Sequence, residues 1–191
     1  MGRGRQETMK KRYGAVALVG ISVMASLYLR FEPGWQLAKF MVLGVLLLTI
    51  AIIDAKWFVI PNSLLLFGLL FYILGALWSG MTAIDLFFSI LLGGCAIAVP
   101  LSCFVLLADN LLQRETMGGG DLKLFFVLGV YLGPALTILT LFFACLVGIG
   151  ISLCQRAERG QLLPFAPSIA LAAWFVVLWG EQLLQWYGGI I

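Results

Sequence analysis

The chain is predicted to fold as an all-α bundle of transmembrane helices with six to seven spans. Three observations predict it. Of its 191 residues, 62% are hydrophobic and 11% charged, with a mean hydropathy of +1.07, beyond any ordinary soluble core. Apolar runs of bilayer length recur from one end to the other. The few Lys and Arg residues gather between alternate runs, as membrane topology demands.

Charged, Gly or Pro punctuation separates seven runs: Tyr13–Leu29, Gln36–Ile53, Asn62–Trp78, Ile84–Leu107, Leu122–Leu132, Pro134–Leu153 and Phe165–Trp186. The first leads into Arg30–Phe31–Glu32–Pro33 without a small-residue cleavage site, so it reads as a retained helix that also serves as insertion signal. The second should end before Pro61, which disfavours helix at Ile60, and Asn62 suits the N-cap of the third. Thr82 and Asp85 have the spacing of a capping pair at the start of the fourth. The fifth is too short to cross ~30 Å alone at ~1.5 Å per residue. It either tilts through a thin region or starts inside the membrane on a polar cavity. Trp35, Trp57, Trp78, Trp179, Trp186 and Tyr187 fall near span ends, where interfacial aromatics belong. The longest hydrophilic stretch between spans, Ala108–Gly120, cannot hold a soluble domain. Residues 1–191 are therefore expected to form one membrane-embedded domain, with a basic segment at residues 1–12.

That basic segment carries Arg3, Arg5, Lys10, Lys11 and Arg12. A cytoplasmic N-terminus and seven alternating crossings put these five on one side with Lys56, Arg114, Lys123, Arg156 and Arg159. Arg30 and Lys39 alone fall outside. Such a distribution follows the positive-inside rule, so the segment reads as a topology determinant and not as a nucleic-acid site. The only macromolecular surroundings implied so far are a lipid bilayer.

The chain has no histidine, which excludes Ser–His and Cys–His nucleophiles, HExxH zinc sites and His-ligated haem. Cys95, Cys103, Cys145 and Cys154 stand singly, form no CxxC pair, and are expected as buried small hydrophobes. Neither a metal nor a cofactor is expected.

Two acids stand out. Asp54 closes Leu46–Asp54 (LLLTIAIID), and Asp121 closes Met117–Asp121 (MGGGD). An ionisable group at membrane depth is expensive, about 2.5–3.5 kcal/mol on insertion scales, and marks function by default. Asp54 at a helix C-terminus is disfavoured by the macrodipole, so a merely structural role gains it little. Gly118, Gly119 and Gly120 before Asp121 are read as a loop that permits close backbone approach, letting an extended peptide add strand-like hydrogen bonds. The predicted topology places both acids at one membrane face. Two carboxylates in hydrogen-bond reach share a proton, so one can deprotonate water while the other protonates a carbonyl or leaving amine.

These residues resemble the type IV prepilin peptidases among the GxGD-type membrane aspartyl peptidases. Gly118–Gly119–Gly120–Asp121–Leu122–Lys123–Leu124 is similar to the family's Gly-x-Gly-Asp-x-Lys-Leu motif. Asp54 followed by Ile60–Pro61–Asn62 resembles the first-aspartate motif. Leu163–Pro164–Phe165–Ala166–Pro167 resembles a Pro-Phe-Gly-Pro stretch, with Ala166 in place of glycine.

The resemblance implies catalysis by Asp54 and Asp121 without a cofactor. It assigns Gly118, Gly119, Gly120, Lys123, Pro61, Asn62, Pro164 and Pro167 to substrate binding or to the surrounding loops. Substrates would be prepilin or pseudopilin-like proteins, with a short basic leader followed by a hydrophobic helix, cleaved after the glycine that ends the leader, at the cytoplasmic boundary of a bacterial inner membrane. Bifunctional members carry a segment with two CxxC pairs associated with N-methylation; this sequence has none, and a minimal peptidase is expected.

Rival readings are a small proton- or cation-coupled transporter using the same aspartates, and a presenilin-like protease. The first leaves the glycine motif and Ile60–Pro61–Asn62 without a role. The second would need Tyr-Asp and Pro-Ala-Leu motifs, whereas Ile53 precedes Asp54 and no Pro-Ala-Leu occurs.

In a cysteine-free background, Lys56→Cys and Glu115→Cys should label only from the cytoplasmic side, and Gly34→Cys only from outside. Labelling of positions 56 and 115 from opposite sides would separate Asp54 from Asp121 by a bilayer.

Overall fold

The computed structural model of the chain describes residues 19–113, 117–154 and 164–189. The basic segment, the start of the first run at residues 13–18, Arg114, Glu115, Arg156, Arg159 and Leu163 lie outside them. The described residues form helices and no strand. The helices are α1 (Val19–Arg30), α2 (Trp35–Trp57), α3 (Asn62–Trp78), α4 (Ala83–Leu112), α5 (Gly119–Leu132), α6 (Pro134–Cys154) and α7 (Ala166–Gly188). By length and composition, α2, α4, α6 and α7 can each cross a membrane, and α1 and α3 are shorter apolar helices. The protein is thus an all-α, multi-pass membrane bundle, and among the described residues seven helices follow the seven runs.

Short α5 stands in the middle. Leu124, Phe125 and Leu128 are wholly buried, and α2, α3, α4, α6 and α7 all pack against it. It spans only about 21 Å at ~1.5 Å per residue, but protein encloses it, so its length need not match the bilayer.

Glycines make this enclosure possible. In α4 the turns over Ser89–Cys95 widen to π-helix ahead of Pro100, and Gly93 and Gly94 lie there. A Cβ on Gly129 of α5 would overlap the Gly93 carbonyl oxygen, and one on Gly94 would stand 2.6 Å from the Phe126 ring. The two backbones touch directly, as small residues allow in membranes. Tyr131 then donates to Gly68 O of α3 at 2.7 Å, and its ring lies 5.0 Å from that of Tyr72.

Helix α7 is the second organiser, packing most extensively on α6 and α2. Its buried face carries Ala166, Ser168, Ala170, Ala172, Ala173 and Gly180, small enough for close helix approach. The Thr82–Asp85 cap is present: Thr82 Oγ1 accepts from Asp85 N–H at 3.2 Å and donates to its carboxylate at 2.7 Å. The cysteine expectation is corrected. Cys103, Cys145 and Cys154 are exposed and Cys95 half-buried, on bundle surfaces that a lipid environment leaves as comfortable for a thiol as a core.

Alanine normally gains up to about 1 kcal/mol over glycine in a helix, whereas overpacking costs about 1–3 kcal/mol. Gly129→Ala should therefore lower the thermal unfolding temperature in detergent. Gly150→Ala, where an added Cβ meets nothing within 4 Å, should hold or raise it.

Candidate active site

Four helix termini converge at one end of the bundle: the C-terminus of α2 and the N-termini of α3, α5 and α7. Helix α2 stops after Trp57 because Phe58 turns left-handed (φ 54°, ψ 36°), its N–H reaching Asp54 O at 2.9 Å. Asp54 therefore sits in the last turn and is 6% exposed. Its own helix end is electrostatically unfavourable for a carboxylate. The side chain instead reaches α7, where Oδ2 accepts the Ala166 N–H at 3.0 Å. Phe165 is the N-cap of α7 and Pro167 lies in its first turn. First-turn N–H groups have no partner within their helix, and the helix N-terminus favours an anion. The α7 terminus thus offsets what the α2 terminus costs.

Asp121 lies in the first turn of α5, half-buried, with its N–H on Gly118 O at 3.0 Å. It is close enough to Asp54 for the two carboxylates to act on each other electrostatically. The glycine expectation needs correction here. Only Gly118 is extended (φ −68°, ψ 138°), as the N-cap; Gly119 and Gly120 are helical, and none of the three has positive φ. They form a helix start and not a peptide-pairing loop.

What Gly120 needs is space. A Cβ there would stand 3.0 Å from Ile60 Cβ, whereas one on Gly119 would meet nothing within 4 Å. Ile60 belongs to the Ile60–Pro61–Asn62 segment, so the glycine and first-aspartate motifs dock through this contact. A second link is polar: Lys123 Nζ donates to Asn62 Oδ1 at 3.0 Å. Asn62 is consequently not the N-cap expected. Pro61 takes that place in extended conformation (φ −67°, ψ 122°), its carbonyl accepting from Leu64 N–H at 3.2 Å, and the Asn62 side chain turns to Lys123.

Of the residues named from sequence, Asp54, Asp121, Gly118, Gly120, Pro61, Asn62, Lys123 and Pro167 meet at this end. Gly119 faces open space, and Pro164 precedes the α7 cap. Sequence reasoning missed two contributors, the Ala166 N–H and Ile60. The first had a legible signal: a Pro-flanked start of an apolar run is a helix N-terminus with unpaired donors. Ile60 had none, because nothing in the sequence pairs it with Gly120. No group of three or more Cys, Asp or Glu gathers among the described residues.

Residues 41–153 match the model of the type IV leader peptidase family. That stretch includes Asp54, Asp121 and both motifs around them, and stops short of Pro164–Pro167. A protein of Aeromonas hydrophila named prepilin leader peptidase/N-methyltransferase is 30% identical over 193 residues, covering 97% of this chain and 64% of its own length. Proteins of the same name from Bacillus subtilis (strain 168) and Pseudomonas aeruginosa are each 31% identical, covering 92% and 93% of this chain and 69% and 61% of their own lengths. The chain thus spans roughly two thirds of these relatives. No solved structure matches it. By the family match across both aspartate motifs and the identity along nearly its whole length, the chain belongs to the type IV leader peptidase family.

Proposed function

We propose that the protein is a membrane aspartyl endopeptidase that removes the short basic leader of prepilin or pseudopilin-like proteins. The single observation that carries the reading is the placement of Asp54 and Asp121, from α2 and α5, at one end of the bundle with the α7 N-terminus bonded to Asp54. The names of the relatives support the substrate class.

One carboxylate acts as base while the other carries the shared proton; the Ala166 N–H on Oδ2, a donor that an ionised carboxylate accepts best, supports Asp54 as the base and Asp121 as the acid. Water bound between them gives a proton to Asp54 as its oxygen attacks the scissile carbonyl carbon, and Asp121 protonates the carbonyl oxygen. In the resulting gem-diol, Asp54 returns its proton to the amide nitrogen and Asp121 recovers one from a hydroxyl. The C–N bond breaks, leaving a carboxyl and an amine. No covalent intermediate forms, and the chemistry needs only the pair and one water.

The positive-inside distribution supports a cytoplasmic N-terminus and a site at the cytoplasmic face of a bacterial inner membrane. A leader still in the cytoplasm then meets the carboxylates without crossing the bilayer. Family membership favours this reading over a proton- or cation-coupled transporter.

The test is cleavage of a membrane-embedded prepilin-type substrate, with the cut mapped by mass spectrometry. Asp54→Asn and Asp121→Asn should each fall below about a tenth of wild-type turnover, more than ~1.4 kcal/mol of barrier, with expression and insertion near normal. A single variant that kept more would end the dyad assignment.

Among the glycines, Gly120→Val should lose most activity, because its side chain meets Ile60, while Gly119→Val should stay close to wild type. Equal rates for the two would remove the docking of the two motifs from the account.

A further inference from the structure

A groove of about 690 Å³ runs between α1, α2 and α7, and apart from Lys56 at one end its lining is apolar. We propose that this groove seats one face of the substrate's membrane-spanning helix, the segment that follows the scissile bond. The proposal rests on the peptidase reading above and adds the surface that the substrate uses.

Position is the first argument. The groove begins at Ala55 and Pro167, the chain neighbours of Asp54 and of the Ala166 whose N–H holds Asp54. Anything seated there presents its end to the two carboxylates. A peptide bond held in a helix has its amide in use, whereas the residues just before a helix start are non-helical and open to attack. A helix whose first turn lies at the groove mouth therefore delivers an attackable bond to the dyad.

Length is the second argument. Along α2 the part of the lining that α1 leaves accessible runs from Ala51 to Lys56, about 8 Å at ~1.5 Å per residue, the reach of the opening turns of a helix.

Shape is the third. At the far end α1 closes the groove: Trp174 Nε1 donates to Ser26 Oγ at 3.0 Å, and Arg30 Nε to Leu178 O at 3.4 Å. Val23 and Leu27 are 4% and 2% exposed there. At the dyad end Val19 is 41% exposed, and Ala55 and Lys56 are exposed. Among the described residues the groove therefore narrows away from the catalytic pair. A second copy of this chain filling it would cover that mouth.

The experiment compares two substrates in wild-type and in Ile52→Trp and Leu171→Trp proteins, both in membranes. One substrate is a prepilin-type protein with its hydrophobic helix; the other is a short peptide spanning the leader junction without it. Either Trp should raise KM for the helix-bearing substrate at least about tenfold, the loss of burial of one large side chain, and leave peptide cleavage within twofold. Unchanged KM for both substrates overturns the proposal while the peptidase reading stands. Failure of wild-type protein to cut either substrate overturns the peptidase reading itself. A photo-crosslinking residue at position 52 of Asp121→Asn protein, independent of turnover, should capture the substrate helix. Capture only of lipid, or only of a second copy, overturns the proposal.

Discussion

The hydrogen bond from Ala166 N–H to Asp54 Oδ2, joining residues 112 positions apart, is the interaction on which the site depends. A carboxylate at the C-terminal end of a helix faces partial negative charge from its own carbonyls, and burial removes the water that would screen it. Both difficulties are answered by one donor at the opposite pole of another helix. Helix α7 must therefore start where α2 stops, and the extensive α2–α7 packing along small residues holds that register. The fold places an acid where it would otherwise be intolerable, then makes it tolerable with a helix terminus.

Asp121 arrives by a different route. Its helix is too short to span alone and is held by five neighbouring helices. Direct backbone contact at Gly93 and Gly129 sets how near α5 lies to α4, and Gly120 against Ile60 sets how near its first turn lies to the α2–α3 corner. The glycines thus act by having no side chain rather than by unusual backbone angles. This accounts for glycine-rich helices in a fold whose positive-φ glycines among the described residues are only Gly80 and Gly133, both at helix ends.

Sequence revealed the helices and the acids because both signals are local or nearly so. Apolar runs count off bilayer lengths, and an aspartate at their edge is costly wherever it lies. Charge placement put Asp54 and Asp121 on one face, which the convergence of four helix ends supports. What remained illegible was relational. Lys123 and Asn62 lie 61 residues apart, and their hydrogen bond redirects Asn62 from the capping role its position favours. The run Gly118–Gly120 has loop composition, yet two of the three lie in the first turn of a helix, with Gly120 packed against Ile60. Local preference set the alternatives, and packing chose between them.

Ala166 shows the same distinction from the opposite side. Judged by motif, alanine in place of the family's glycine is a departure that ought to weaken the site. Judged by structure, position 166 supplies a main-chain donor, which any residue except proline possesses. Its side chain has only to fit, and Ala166 is 1% exposed in a face already built of small residues. A larger side chain would push α7 from α2 and lengthen the bond to Asp54; alanine does not. The substitution therefore leaves untouched the one function the geometry gives this position, because that function belongs to the backbone.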